Sequence, residues 1–372
     1  MRAVLLLAAV LSAPAATVNI LDGRTLTGPV LRFEKETLRM GQTSVPIADC
    51  DWLEPGSGSG VNLGRASLGV WLADGSWLPA SSLMAGKVDH VLRVISPLGR
   101  FDVPLTAVRG WSMTADLPSD GPQDRVLLDS GPVTGRIEGL VGGKLLLRSD
   151  LSPDKPLEFT LDQVRGLRLT GTMTASLGTV LSVTLDPDRP PLRLRAGEPL
   201  ALAAVATATL PTLADSPMAA ARFRVESGRR VYLSDLTPTE VQDAGAFGVV
   251  WPWKQDTNLD GSPLRLGGTR FAKGLVAHSQ ARLVWRLDGR FTRLRGLVGI
   301  ADLVNDEGDC NAAILGDEKT LWQQASVKGG EKPQWLDLDL NGVKTLELRV
   351  ELGKRYDIGD HLVLADAYLI KK

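Results

Sequence analysis

A short apolar segment that ends in a glycine turn occurs three times in the first half of the chain, and this repeat constrains the fold more than any other feature. The turns at Gly23, Gly75 and Gly131 lie 52 and then 56 residues apart. Each turn follows a run in which apolar and polar residues alternate, as in a half-buried strand entering a hairpin. Repetition of this kind predicts successive small β units of about four or five short strands.

Each unit closes on a similar segment, at residues 45–50, 103–108 and 159–164. Units this small bury their apolar faces by curling into a barrel or by stacking on neighbours. The pattern resembles small Sm-like or SH3-like barrels, and we expect the repeats to act as a scaffold or protein–protein spacer. The alternative is binding of a peptide or nucleic acid on the barrel surface. The predicted β units are residues 17–58, 66–114 and 124–170, with a degenerate copy at 178–209.

The N-terminus has the pattern of a secretory signal peptide at residues 1–15. A basic start at Arg2 precedes an apolar run from Ala3 to Leu11, and Ala13-Pro14-Ala15 offers small residues for cleavage. The alternative is a short buried strand or helix. The run is shorter than the ~20 residues that span a bilayer, and we expect no transmembrane segment in the mature chain. These features predict an exported protein, either periplasmic, at the cell surface or extracellular.

Charge and cysteine content exclude several function classes. The 42 basic and 43 acidic residues leave a net charge of −1, which argues against a dedicated nucleic-acid binder. The apolar fraction of 44% is that of an ordinary globular protein rather than a disordered one. Cys50 falls where the other repeats have Val108 and Val164, so we expect a core residue there. Cys310 lies in another predicted domain, which argues against a disulfide or a zinc site.

The composition changes after a proline-containing linker predicted at residues 210–221. The second half, residues 222–372, contains four ordered motifs: Tyr232 to Leu236, Leu264 to Ser279, Val298 to Asp302, and Asp360 to Leu369. This succession resembles the NPCBM family of carbohydrate-binding modules. The resemblance implies a β-sandwich of jelly-roll type that binds exposed sugars, often as an accessory to glycoside hydrolases. The fold class is therefore all-β, with barrel-like repeats followed by a sandwich.

Two positions depart from the family pattern. Ala301 stands where the family has an acidic residue, and Leu364 stands where it has a tryptophan. If either family residue contacts the ligand, sugar binding is in question for this chain.

A sugar is held by an aromatic platform together with charged hydrogen-bonding groups. For each tryptophan in the loops the alternative role is packing against the core. For His278 the alternative role is a structural hydrogen bond to a loop. The candidate carbohydrate-binding residues are Trp251, Trp253, Lys273, His278, Arg355, Asp360 and His361.

An acidic segment follows the third motif and raises the question of a cation. Asp302, Asp306 and Asp309 could offer Ca²⁺ several oxygen ligands, with turn capping as the alternative. No other cofactor is indicated.

The sequence favours an exported, non-catalytic carbohydrate-binding protein whose ligand is a glycan. The alternative is a structural protein of the cell envelope, with protein partners, whose sandwich no longer binds sugar. An enzyme is disfavoured, because none of the G-x-S-x-G, H-E-x-x-H or P-loop motifs is present and the chain has only three histidines.

Overall fold

The computed structural model divides the chain into two compact units, Met1–Glu226 and Ser227–Lys372. Apart from Ala15, the predicted signal peptide lies outside the described residues, as do 211–220 of the predicted linker. The described residues are 15–28, 31–34, 36–56, 68–114, 117–118, 121–150, 152–171, 179–186, 189–197, 200–205, 208–210, 221–226, 228–246 and 248–372.

The N-terminal unit is built from short strands. Two 3₁₀ turns, Ile47–Asp49 and Leu105–Ala107, interrupt them. Its described strands are β1 (Ala16–Ile20), β2 (Thr25–Gly28), β3 (Leu31–Glu34), β4 (Thr37–Met40), β5 (Thr43–Pro46), β6 (Cys50–Glu54), β7 (Leu68–Leu72), β8 (Trp77–Ala80), β9 (Ser82–Ala85), β10 (Val91–Ser96), β11 (Gly99–Pro104), β12 (Val108–Ser112), β13 (Asp124–Leu128), β14 (Gly131–Val141), β15 (Lys144–Ser149), β16 (Ser152–Thr160), β17 (Gly166–Arg168), β18 (Val180–Val183), β19 (Leu192–Arg195), β20 (Ala201–Leu202) and β21 (Phe223–Val225).

The three repeated glycine turns each join an antiparallel pair, β1–β2, β7–β8 and β13–β14. Gly23, Gly75 and Gly131 all have positive φ, the backbone conformation that glycine adopts without steric cost. The sequence pattern therefore places these hairpins correctly.

Strands of different repeats share sheets rather than closing into separate barrels. An eight-stranded sheet has the order β16-β15-β14-β13-β17-β12-β7-β8, so the second and third repeats are joined. A seven-stranded sheet, β2-β1-β6-β21-β18-β19-β20, joins the first repeat to the end of the unit. Two three-stranded sheets, β3-β4-β5 and β11-β10-β9, complete it, and none of the sheets closes in the part of the chain that is described. Each repeat is too small to bury its apolar faces alone, so it pairs with its neighbours.

The predicted start of the second domain at residue 222 falls before the boundary between the units. Phe223 pairs with Leu53 of β6 and with Val183 of β18. The strand β21 therefore belongs to the N-terminal unit.

The C-terminal unit is also made of strands, with 3₁₀ turns at Leu233–Asp235 and Asp302–Val304. No described segment of the chain is a helix apolar and long enough to cross a membrane. The strands are β22 (Arg230–Tyr232), β23 (Glu240–Asp243), β24 (Lys254–Gln255), β25 (Arg265–Leu266), β26 (Thr269–Arg270), β27 (Gly274–His278), β28 (Ala281–Arg286), β29 (Phe291–Ile300), β30 (Asp309–Gly316), β31 (Lys319–Lys328), β32 (Gln334–Asp339), β33 (Thr345–Leu352) and β34 (His361–Lys371).

Two sheets of this unit pack face to face as a β-sandwich. One has the order β24-β27-β34-β29-β32, with β22 also paired to β34, and the other has the order β23-β28-β33-β30-β31. Leu275, Leu294 and Leu364 of the first sheet share an apolar core with Trp285 and Leu348 of the second. The all-β fold with a C-terminal sandwich is thus confirmed.

Both cysteines are buried free thiols. Burial raises the pKa of Cys50 to about 12, and burial also raises the pKa of Cys310. Both thiols are core residues, which confirms the prediction for Cys50.

Candidate functional site

Three rings meet where β27 ends and β34 begins. His278 and His361 are directly opposite in the antiparallel register of these strands, and their ring centroids are 5.6 Å apart. The ring of Trp251 lies 6.3 Å from each imidazole. We call Trp251, His278 and His361 the ring cluster. Trp251 is 44% exposed whereas His278 is buried, so the indole forms the solvent-facing side of the cluster.

A buried hydrogen-bond network fixes the base of the ring cluster. The Nδ1 atom of His278 lies 2.6 Å from the carbonyl oxygen of Ser279. A carbonyl only accepts, so Nδ1 is the donor in this contact. The hydroxyl of Ser279 donates to Asp360 Oδ2 at 2.6 Å, and the amide of Asp309 donates to Asp360 Oδ1 at 2.9 Å. This network therefore links His278 and Ser279, at the end of β27, to Asp360 and His361, at the start of β34.

Burial sets the charge of two groups in this region. Burial lowers the pKa of His361 to about 4, with a further contribution from His278 and an opposing one from Asp260. His361 is therefore neutral at neutral pH. Burial raises the pKa of Asp360, although the hydrogen bonds from Ser279 and Asp309 oppose this effect.

The loop between β23 and β24 carries Trp251 and is tied down on two sides. The backbone amide of Ala244 donates to the carbonyl of Gln280 at 2.8 Å. The amide of Ala246 donates to Asp357 Oδ2, also at 2.8 Å. A side chain at Gly245 would collide with the carbonyl of Val249, so this turn requires glycine. These contacts hold the Trp251 loop beside the turn that precedes Asp360.

These two loops carry exposed apolar side chains. Such side chains in a shared loop edge are typical of a contact surface. They are Val249, Val250, Tyr356 and Ile358.

Two of the predicted residues, Trp253 and Lys273, make contacts within the fold. Trp253 is half-buried and packs against the core of the sandwich. The Nζ atom of Lys273 lies 2.5 Å from Asp235 and 2.9 Å from Asp256. Burial lowers the pKa of Lys273, but the two carboxylates outweigh it and the pKa lies above its ordinary value. Lys273 thus fastens the first motif of this half to the second.

Arg355 lies on the exposed turn before Asp360. Its guanidinium approaches Glu307 at 3.6 Å, a loose surface ion pair. The structure therefore brings Trp251, His278, Asp360 and His361 together and leaves Arg355 at the surface of the neighbouring turn.

The predicted calcium ligands do not converge. Asp302 accepts hydrogen bonds from the amides of Gly267 and Gly268, at 2.7 and 2.8 Å. Asp309 accepts one from the hydroxyl of Ser326 at 2.6 Å, and Asp306 is exposed. Among the described residues, no three His, Cys, Asp or Glu side chains are grouped so as to hold a metal ion. Asp302 acts as the turn cap that was the alternative explanation.

Sequence reasoning left Ser279 out of the candidate site, and it offered Asp357 as a charged loop residue without indicating what it contacts. Ser279 directly follows His278 in the quoted motif, so its position was a usable signal. Asp357 lies 111 residues from Ala246, and no local pattern indicates that contact.

Comparison with known proteins gives the C-terminal unit a family. The NPCBM/NEW2 domain family matches residues 229–370. This part of the chain is an NPCBM/NEW2 domain. A stretch of 93 residues, 25% of the chain, is 32% identical to a protein of Renibacterium salmoninarum named "Putative endo-alpha-N-acetylgalactosaminidase", of which it spans 6%.

Solved structures similar to the chain include several CBM51 modules. A Clostridium perfringens CBM51 in complex with methyl-galactose is 22% identical, with 38% of this chain and 99% of that one covered and a TM-score of 0.34. A second C. perfringens structure, of CBM51-2 with GlcNAc and INT domains, is 16% identical, with coverage of 69% and 46% and a TM-score of 0.35. Tandem CBM51 modules of a Streptococcus pneumoniae family 98 glycoside hydrolase are 12% identical, with coverage of 82% and 88% and a TM-score of 0.34.

The two departures from the family pattern lie in the interior of the NPCBM/NEW2 domain. Ala301 is fully buried in a small apolar cluster with Leu264 and Val363. Leu364 is buried in the core of the sandwich. Neither position presents a side chain to a ligand in this chain, so neither counts against a site at the ring cluster.

Proposed function

We propose that this protein is an exported, non-catalytic carbohydrate-binding protein whose NPCBM/NEW2 domain binds a glycan at the ring cluster. The observation that carries the proposal is the half-exposed indole of Trp251, tilted beside His278 and His361 above the hydrogen-bonded pair Ser279 and Asp360. An indole face suits the apolar C–H face of a pyranose, and imidazole nitrogens suit its hydroxyls.

The neutral state of His361 fits an uncharged sugar. A cationic imidazole would favour an anionic ligand, but the pKa of about 4 leaves this ring neutral under most conditions. The exposed Arg355 could add one charged hydrogen bond from the neighbouring turn. We therefore expect a neutral hexose or acetamido sugar rather than an acidic one.

The carboxylate that precedes His361 in the sequence is poorly placed for catalysis. Both oxygens of Asp360 are engaged, by Ser279 and by the amide of Asp309, and the side chain is fully buried. A glycosidase needs two carboxylates that flank the scissile bond. Asp360 supports the rings instead, which favours binding without turnover.

Trp251→Ala tests the proposal against a matched control, Trp335→Ala. Trp335 is 51% exposed on β32, so it is as accessible as Trp251 but is not part of the ring cluster. The full chain is screened on a glycan array, and the best ligand is titrated calorimetrically, with methyl-galactose and GlcNAc as first probes. We expect Trp251→Ala to weaken binding at least tenfold, equivalent to about 1.4 kcal/mol, and Trp335→Ala to leave it within about twofold.

Three results would contradict this function. Equal losses in the two variants would place the site elsewhere. A folded protein that retains no glycan would favour the alternative, an envelope protein with protein partners. Hydrolysis of an array ligand by the wild-type chain would contradict the non-catalytic role.

A further inference from the structure

Five arginines lie on five consecutive strands of the eight-stranded sheet in the N-terminal unit. The strands are neighbours in the order β15-β14-β13-β17-β12. We call these residues the arginine stripe: Arg148, Arg136, Arg125, Arg168 and Arg109. Adjacent strands are about 4.8 Å apart, so the stripe spans about 19 Å across the sheet.

The register places most of the stripe on one face. Arg148 is directly opposite Arg136, and Arg125 is directly opposite Arg168. Thr134, two residues before Arg136, is opposite Arg125, so the two pairs point the same way. Gly110 is opposite Arg168, and Arg109 lies beside it at a register shift.

Two adjoining cavities run along the stripe. The larger, of about 660 Å³, is lined by Arg136 and Arg148, and the smaller, of about 360 Å³, by Arg109 and Arg168. They share one wall, formed by Leu105, Thr106, Leu169, Thr170 and Gly171.

The acidic residues of the larger cavity are largely engaged. Asp124 accepts hydrogen bonds from the amides of Ile137 and Thr170 and from the hydroxyl of Thr170, all at 2.8 Å. Glu138 pairs with Arg148, while Asp150 is exposed at the edge. Among the described residues that line the smaller cavity, none is acidic.

The arginine stripe places groups of like charge on neighbouring strands. Like charges directly opposite one another in a sheet are destabilising. Burial, followed by the charge of Arg109, lowers the pKa of Arg168, so the two guanidinium groups affect one another. Within the described part of the chain, Arg109 and Arg136 have no ion pair.

We propose that the arginine stripe binds an acidic polysaccharide that carries carboxylate or sulfate groups on successive sugars. A chain laid across the strands meets a guanidinium about every 5 Å, and guanidinium forks match such oxyanions bidentately. Single-stranded nucleic acid fits less well, because among the described residues that line the two cavities the imidazole of His90 is the one ring, with no Trp, Tyr or Phe for successive bases to stack on. The choice of a polysaccharide over an acidic peptide rests on the proposed glycan-binding function of the NPCBM/NEW2 domain.

The test uses the full chain on immobilised heparin and polygalacturonate, which represent sulfate and carboxylate carriers. Arg109→Gln/Arg136→Gln is compared with Arg32→Gln/Arg39→Gln, which removes another directly opposite arginine pair from β3 and β4 of the same unit. Thermal unfolding confirms that each variant is folded. We expect the stripe variant to bind about tenfold more weakly and to show a shallower salt dependence, while the control stays within about twofold.

Four outcomes would overturn the proposal: no retention of the wild-type chain at low salt, equal losses in the two double variants, tighter binding of polyglutamate or single-stranded DNA, or binding of inorganic sulfate alone with no preference for the polymers. Binding at the arginine stripe can be tested separately from binding at the ring cluster. Trp251→Ala should keep its polyanion binding, and the stripe variant should keep its binding to the array ligand.

Discussion

At the scale of single residues, the ring cluster depends on groups that never touch the ligand. Ser279 and Asp360 are buried, and their hydrogen bond of 2.6 Å joins the end of β27 to the turn before β34. The same contact positions the backbone that presents His278 and His361. Substitutions below the rings should therefore affect stability first and binding second.

Ser279→Ala removes one hydrogen bond to the buried carboxylate of Asp360. We expect the free energy of unfolding of the C-terminal unit to fall by about 1–3 kcal/mol, measured by denaturant titration. Ser234→Ala is the matched control, because Ser234 is also buried but its hydroxyl has no hydrogen-bond partner among the described residues. An equal loss in the two variants would mean that the Ser279–Asp360 contact contributes nothing.

The lowered pKa of His361 predicts that the folded protein loses stability in acid. Its pKa is about 4 in the folded protein against an ordinary 6.5. The folded state then binds fewer protons than the unfolded state between these values, so stability is lost as pH falls from 6.5 to 4. His361→Gln removes the titrating group. We therefore expect the loss of stability between pH 6.5 and 4 to be smaller in this variant by up to about 3 kcal/mol. Parallel pH profiles of the two proteins would contradict the assignment.

At the scale of elements, the antiparallel register of β27 and β34 decides which motifs meet. His278 and His361 lie 83 positions apart in the sequence and become direct neighbours through strand pairing. The family resemblance predicted the sandwich and named both motifs. It could not give their contact, because a register depends on the whole sheet.

Trp251 and Trp253 also show that the sequence does not predict which contacts a side chain makes. They flank one proline, yet one is exposed in the ring cluster and the other packs against the core. Lys273 was equally unpredictable, because its partner Asp235 lies 38 residues earlier. The amino-acid composition could not predict the arginine stripe, because a net charge of −1 does not show where positive charges lie close together.

The loop that carries Trp251 should depend on its anchor. Asp357→Ala removes the carboxylate that accepts from the amide of Ala246. We expect affinity for the array ligand to fall about tenfold, because Trp251 loses its fixed position although no ligand contact is deleted. Calorimetric titration measures this loss. Asp306→Ala, at an exposed carboxylate, should bind as the wild type does, and an unchanged affinity in Asp357→Ala would contradict the role of this anchor.

At the scale of the whole molecule, each unit has its own apolar core. One core extends from Ala16 to Val225 and the other from Leu233 to Leu369. A chain of this design can separate two binding tasks. We expect residues 227–372 to fold alone and to bind the array ligand as the full chain does, with polyanion binding kept by residues 1–226. An unfolded or inactive C-terminal fragment, judged by circular dichroism and titration, would contradict that division.

In the proposed function, a sugar ring stacks on Trp251. Nuclear magnetic resonance of the indole N–H signals reports this directly, with the Trp251 and Trp335 signals assigned from their substituted variants. Titration of the full chain with its array ligand should shift the Trp251 signal saturably and leave the Trp335 signal in place. A saturable shift at Trp335 with Trp251 unmoved would show that the glycan binds elsewhere.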